Sequence, residues 1–133
     1  MNKEQRELLF NYIESNVGPI LVDFIDGNVI PNSVILPANI DRSELNGHYE
    51  NVEYISPKWL TELNRLNGLP ILVIDKIDSI QRSEQVKFIE ILKYKKVSTF
   101  ELPENTVVIL TAKEINKNTI NEEVYSLVAH IKG

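Results

Sequence analysis

The sequence predicts an α/β fold, a three-layer sandwich with a mainly parallel sheet between helices. Two observations predict it. Residues 71–74 (Ile-Leu-Val-Ile) and 107–110 (Val-Val-Ile-Leu) are continuously apolar rather than alternating, as strands are when both faces are covered, which is the habit of parallel sheets. Other segments carry apolar residues at helical spacing: Trp59, Leu60, Leu63 and Leu66 in one, Val86, Ile89 and Leu92 in another, so each has one buried and one wet face. The 133 residues suit a single domain, residues 1–133.

In chain order, residues 2–16 read as an amphipathic helix through Leu8, Leu9, Tyr12 and Ile13, with Glu4 and Glu7 near its positive end and a stop near Val17, Gly18 and Pro19. Strands follow at 20–25 and 33–36. A helix is expected over about 57–67, a strand at 71–74, a helix over about 83–94, a short extended return over 95–102 and a strand at 107–110. The tail, 122–131, starts as a helical turn and finishes as a fifth strand at 128–131. Asp26-Gly27 between two apolar runs is a short-range hairpin signal. Either residues 20–25 turn there and pair with 28–30, or residues 26–32 form a bare loop between parallel strands.

Composition narrows the function classes. Hydrophobic residues make up 43% of the chain and charged residues 25%, enough apolar surface for a core and too much for intrinsic disorder. The formal charge of -5 is opposite to what phosphate-backbone binding needs, so nucleic acid is not the expected partner. Without Cys, and with His48 and His130 as the only histidines, there is neither a disulfide framework nor a ready zinc site. The N-terminal segment lacks an apolar stretch behind a basic start, and no apolar run approaches membrane-spanning length. A cytoplasmic protein with no membrane association is expected.

One segment carries recognisable chemistry. Four strand residues, 71–74, run into Asp75-Lys76-Ile77-Asp78, placing an acid at the strand's C-terminal end, where open α/β sheets keep their sites. This resembles a Walker B segment. Downstream, residues 83–94, Lys96-Val97, Glu101-Leu102-Pro103-Glu104-Asn105 and Val107-Val108-Ile109-Leu110-Thr111-Ala112 resemble the helix, turn and sensor-1 strand of AAA+ ATPases. Upstream, Leu45-Asn46-Gly47 and Pro57-Lys58-Trp59-Leu60 are similar to the connection between the second and third core strands of the MoxR-like branch. Residues 123–131 look like the segment with the arginine finger and last core strand. The likeness spans most of residues 33–131. It implies a P-loop-type sheet of strand order 5-1-4-3-2, reached by right-handed crossovers, with the family's lid domain absent.

Nearly every catalytic position of that family is altered. A P-loop needs Gly-Lys before a helix, and none of the five glycines here precedes a Lys. The short stretch between the first two strands leaves no room for a phosphate loop and its helix. Lys76 stands where the family has a water-orienting Glu, Thr111 and Lys113 occupy the sensor-1 region, Leu127 aligns with the finger, and no Arg follows Arg82. Phosphoryl transfer is positioning plus electrostatic stabilisation, so the expectation is a pseudo-ATPase: no catalytic residues, no cofactor, and a protein partner, whether an active ATPase or copies of itself.

Two further functions stay open: a small Mg²⁺-dependent enzyme using Asp75, Asp78 and Glu114, and a module that senses nucleotide without hydrolysis. Asp75 and Asp78 are the candidate metal ligands. Their plainer roles are Asp78 or Ser79 capping the next helix and Asp75 bonding a loop, with Lys76 pairing Asp75, Asp78 or Glu114 at the surface. Trp59 reads as core, His48 as a loop residue, His130 as part of the last strand, and Lys93, Lys95 and Lys96 as a wet helix end.

Overall fold

Runs of sequence that can be dry on both sides become the middle of the sheet. In the computed structural model, which describes residues 2–16 and 18–132, five strands form one all-parallel sheet: β1 (Ile20–Val22), β2 (Ser33–Pro37), β3 (Ile71–Asp75), β4 (Val107–Thr111) and β5 (Ala129–Ile131). Their order in space is β5-β1-β4-β3-β2. The two most apolar runs are neighbours in register, with Val73 opposite Ile109 and Ile74 opposite Leu110. β4 is central and buried at every position, so the expected α/β class with a parallel sheet between helices is what forms.

Side-chain alternation divides the core in two. Leu21, Leu36, Leu72, Ile74, Val108 and Leu110 face a larger cluster with Trp59, Leu63, Phe88, Ile91 and Val124. These come from α3 (Lys58–Asn64), a 3-10 turn at Val86–Phe88, α5 (Ile89–Tyr94) and α6 (Glu122–Ser126). The only tryptophan is buried there, and its indole N–H donates to the Leu45 carbonyl at 2.9 Å, so Trp59 is core as its spacing predicts. Ile20, Val22, Val73, Val107, Ile109 and Ile131 face a smaller cluster closed by Leu9 and Ile13 of the N-terminal helix. Burying two such side chains contributes about 1.5–3 kcal/mol each.

That helix, α1 (Lys3–Ser15), begins with a capping box: Asn2 Oδ1 accepts from the Gln5 amide at 2.8 Å and Gln5 Oε1 accepts from the Asn2 amide at 3.0 Å. The box satisfies two of the orphan N–H groups of the first turn. Asn16, with φ of 45°, ends the helix; Val17, part of the expected stop, lies outside the described residues.

Several boundaries differ from expectation. β1 stops at Val22 rather than at residue 25; of the two readings of Asp26-Gly27, the structure has the connection between parallel strands and not the hairpin, with a single 3-10 turn at Gly27–Val29. Residues 23–32 therefore carry the chain from β1, past β4 and β3, to the far edge of the sheet. The three strand spacings amount to roughly 14 Å, within reach of ten extended residues without a helix. Ile30 is buried in the smaller cluster, with Phe24 and Ile25 packed on it, so this connection and α1 together make the second outer layer. The helix expected over 83–94 is broken into α4 (Arg82–Gln85), the 3-10 turn and α5. The extended return is a two-residue hairpin, Lys96–Val97 with Phe100–Glu101. A short helix α2 (Arg42–Asn46) and an antiparallel pair, His48–Glu50 with Glu53–Ile55, lie between β2 and α3.

Ile74 has no exposed surface. Ile74→Ala is expected to cost about 2–5 kcal/mol through lost transfer energy and the cavity left behind, read as a fall in the midpoint of a denaturant titration.

Candidate functional site

The C-terminal ends of β1, β3 and β4 lie side by side because the strands are parallel and in register, so Val22, Asp75 and Thr111 come together. Asp75 Oδ1 accepts two hydrogen bonds, from the Gly27 amide at 2.9 Å and from the Thr111 hydroxyl at 2.7 Å. Thr111 Oγ1 in turn accepts from the Lys76 amide at 2.9 Å. The turn after β1 is thus seated directly on the acid at the end of β3. A Cβ on Gly27 would stand 2.7 Å from Asp75 Oδ1 and 2.9 Å from Val73 Cγ1, so glycine is what lets the backbone approach this closely.

Lys76 adopts left-handed backbone, φ 61° and ψ 53°, which costs a non-glycine residue about 1–2 kcal/mol. Its bond to Thr111 helps hold it there. Among the described residues no salt bridge joins Lys76 to Asp75, Asp78 or Glu114, so the expected surface pairing is replaced by a backbone role. Asp78 caps no helix; its Oδ2 accepts from the Lys113 and Glu114 amides at 3.1 and 3.0 Å. It pins the loop that leaves β4. Ser79 donates back to the Lys76 carbonyl at 2.6 Å, and α4 has Gln81 at its N-cap with no side-chain capping bond.

Asp75 and Asp78 thus spend their bonded oxygens on different loops, and no three His, Cys, Asp or Glu side chains gather into a metal-binding group among the described residues. Thr111 is buried at the Asp75 carboxylate, Lys113 sits on the Asp78-pinned loop, and Leu127 packs half-buried against the larger cluster. His48 lies on the exposed hairpin, 4.0 Å from Glu50.

Two features had no local sequence signal. Gln85 is fully buried; its amide donates to the Ile77 and Thr119 carbonyls at 3.1 and 2.7 Å, and its oxygen accepts from the Asn121 amide at 2.7 Å. One side chain therefore ties the turn after β3 to the loop after β4. The second is a line of three polar side chains at the β5 edge. His130 Nε2 is 3.5 Å from Asp23 Oδ2, and His130 Nδ1 is 3.3 Å from the Tyr125 hydroxyl. Asp23 is nearly the whole chain away from His130 in sequence, and only the β1–β5 pairing brings them together.

Away from these sites, burial holds the Lys87 ammonium below its ordinary range, with Arg42 adding to the effect and Glu84 and Asp41 opposing it; its Nζ donates to the Ile40 carbonyl at 2.7 Å.

No protein-family model matches the sequence, and a search of curated proteins finds no match.

The network around Asp75 predicts two measurable costs. Gly27→Ala drives a methyl group into Asp75 and Val73 and is expected to destabilise by about 1–3 kcal/mol, as overpacking does. Thr111→Val removes the donor to the half-buried Asp75 and the acceptor for the Lys76 amide together, an expected loss of about 1–3 kcal/mol in all. Both are read from chemical denaturation, with Lys93→Gln, on an exposed helix end, as the control that stays at wild-type stability.

Proposed function

We propose that this chain is a non-catalytic AAA+-like domain that binds protein, either an active ATPase or further copies of itself, and does not turn over nucleotide. The observation that carries the reading is the Gly27 amide on Asp75. In the family that the sequence resembles, the connection after the first strand wraps phosphate and the acid after the third holds Mg²⁺. Here that connection is spent as a strand crossover, and its backbone N–H satisfies the acid. The sheet order and the bond from Thr111 to Asp75 support the same ancestry. Lys76 cannot accept a proton from water as a glutamate would, and Leu127 offers no charge to a phosphoryl group.

The interaction half of the proposal is supported by the hairpin between β2 and α3. Tyr54 stacks on Phe100 with ring centroids 5.5 Å apart and donates its hydroxyl proton to the Asn46 carbonyl at 2.8 Å. That anchors a hairpin whose Val52 and Tyr49 are 94% and 75% exposed. Rigid apolar side chains held out in water are what a partner surface spends on association.

Mg-ATP at millimolar concentration is expected to leave the melting temperature unchanged, whereas a micromolar site would add about 4 kcal/mol. Lys76→Glu is expected to leave hydrolysis at buffer background. A reproducible thermal shift abolished by Asp75→Ala would instead favour a nucleotide-sensing module. For the interaction half, sedimentation over a wide concentration range is expected to show self-association that the Tyr49→Ser/Val52→Ser pair weakens while the melting temperature holds. A monomer throughout would leave a heterologous ATPase as the required partner.

A further inference from the structure

We propose that the cleft between the loop after β4 and strand β5 binds a small organic oxyanion, a phosphate or carboxylate carried on a flat apolar body. The cleft has a volume of about 680 Å³, in the range of small-ligand sites. Its charge is opposite to that of the chain: Arg82, Lys117 and Lys132 line it against one acid, Glu122, in a protein of net charge -5. Three cations around one concavity repel one another and attract an anion that neutralises them. Ile115, Ile120 and the Tyr125 ring supply the apolar part of the same lining.

Hydrogen bonds tie the backbone of the cleft walls to the body of the fold. Tyr125 packs edge-on against His130, with centroids 5.9 Å apart at 76°; its hydroxyl lies 3.3 Å from His130 Nδ1, and Asp23 Oδ2 lies 3.5 Å from Nε2 on the other side of the ring. Across the cleft, Arg82 donates to the Lys117 carbonyl at 2.8 Å. Asn121 donates to the Arg82 carbonyl at 3.2 Å, and Gln85 fixes both Thr119 and Asn121 from beneath. Asn116 Oδ1 accepts from the Asn118 amide at 2.8 Å. These bonds fix the backbone that carries Lys117, so the ordering that binding requires is that of the exposed Lys117 and Lys132 side chains. The cleft shares no residue with the Asp75 network, so the proposal stands apart from the pseudo-ATPase reading.

The probe is phenyl phosphate, titrated into the full chain at constant ionic strength and followed by backbone amide shifts. Saturable shifts confined to residues 115–132 and Arg82 are expected, with inorganic phosphate and phenol each binding at least about tenfold more weakly. Lys117→Gln/Lys132→Gln is expected to lower the affinity by about tenfold. Both side chains are exposed, so the melting temperature should stay within a degree or so. Tyr125→Leu keeps an apolar wall and is expected to bind phenyl phosphate more weakly through loss of the fixed ring. Shifts that stay linear to the highest concentration, that spread equally over Lys93, Lys95 and Lys96, or that survive the double substitution would overturn the site. Equal affinity for inorganic phosphate would overturn it as well, because the apolar wall would then contribute nothing.

Discussion

The Asp75 carboxylate ties together the C-terminal ends of the central strands and the loops that leave them. Parallel strands leave their C-terminal ends side by side with connections departing in different directions, and each departing loop needs a reason to stay. Asp75 Oδ1 gathers two of them, the turn after β1 through the Gly27 amide and the end of β4 through the Thr111 hydroxyl, and the Lys76 amide joins through Thr111. Asp78 does the same for the loop after β4. Two carboxylates three residues apart, which look like a metal pair in sequence, act as acceptors for backbone amides. Charge-assisted bonds of this kind are the stronger class of protein hydrogen bond.

The crossover from β1 to β2 depends on that arrangement. Most parallel connections bury their polar backbone in a helix laid on the sheet. Residues 23–32 have one 3-10 turn and no helix, so their amides need other partners, and the Gly27 amide finds one in Asp75. The layer that a crossover helix would supply is furnished by α1, which precedes the first strand in sequence and packs Leu9 and Ile13 on the same face. The protein reaches a three-layer sandwich with the helix in an unusual place along the chain.

The Asp75 network and the cleft near β5 lie on separate sets of residues. Above β3 the Asp75 carboxylate is met by the backbone of the turn after β1, whereas the cleft near β5 is concave and lined by Arg82, Lys117 and Lys132. The loop after β4 is braced from beneath by the buried Gln85 amide and across the cleft by Arg82, which donates to the Lys117 carbonyl.

Composition and periodicity settled the class of fold and its innermost strands, because a run such as 107–110 has no polar face to turn to water and must be central. They also show that the Gly-x-x-x-x-Gly-Lys-Ser/Thr motif is missing from the sequence, since that motif is contiguous. Trp59 was legible as core from its neighbours at helical spacing. What sequence could not show was the fate of Asp26-Gly27. A local rule favours a hairpin, but the chain beyond Gly27 is drawn across the sheet, where Ile30 becomes buried and the Gly27 amide meets Asp75. Nor could it show that Gln85 would be buried, or that Asp23, His130 and Tyr125 would line up, since those contacts join residues far apart in the chain. Tertiary structure decided them for one physical reason: strand pairing fixes which distant ends become neighbours, and a buried polar group takes whichever partner that pairing puts within reach.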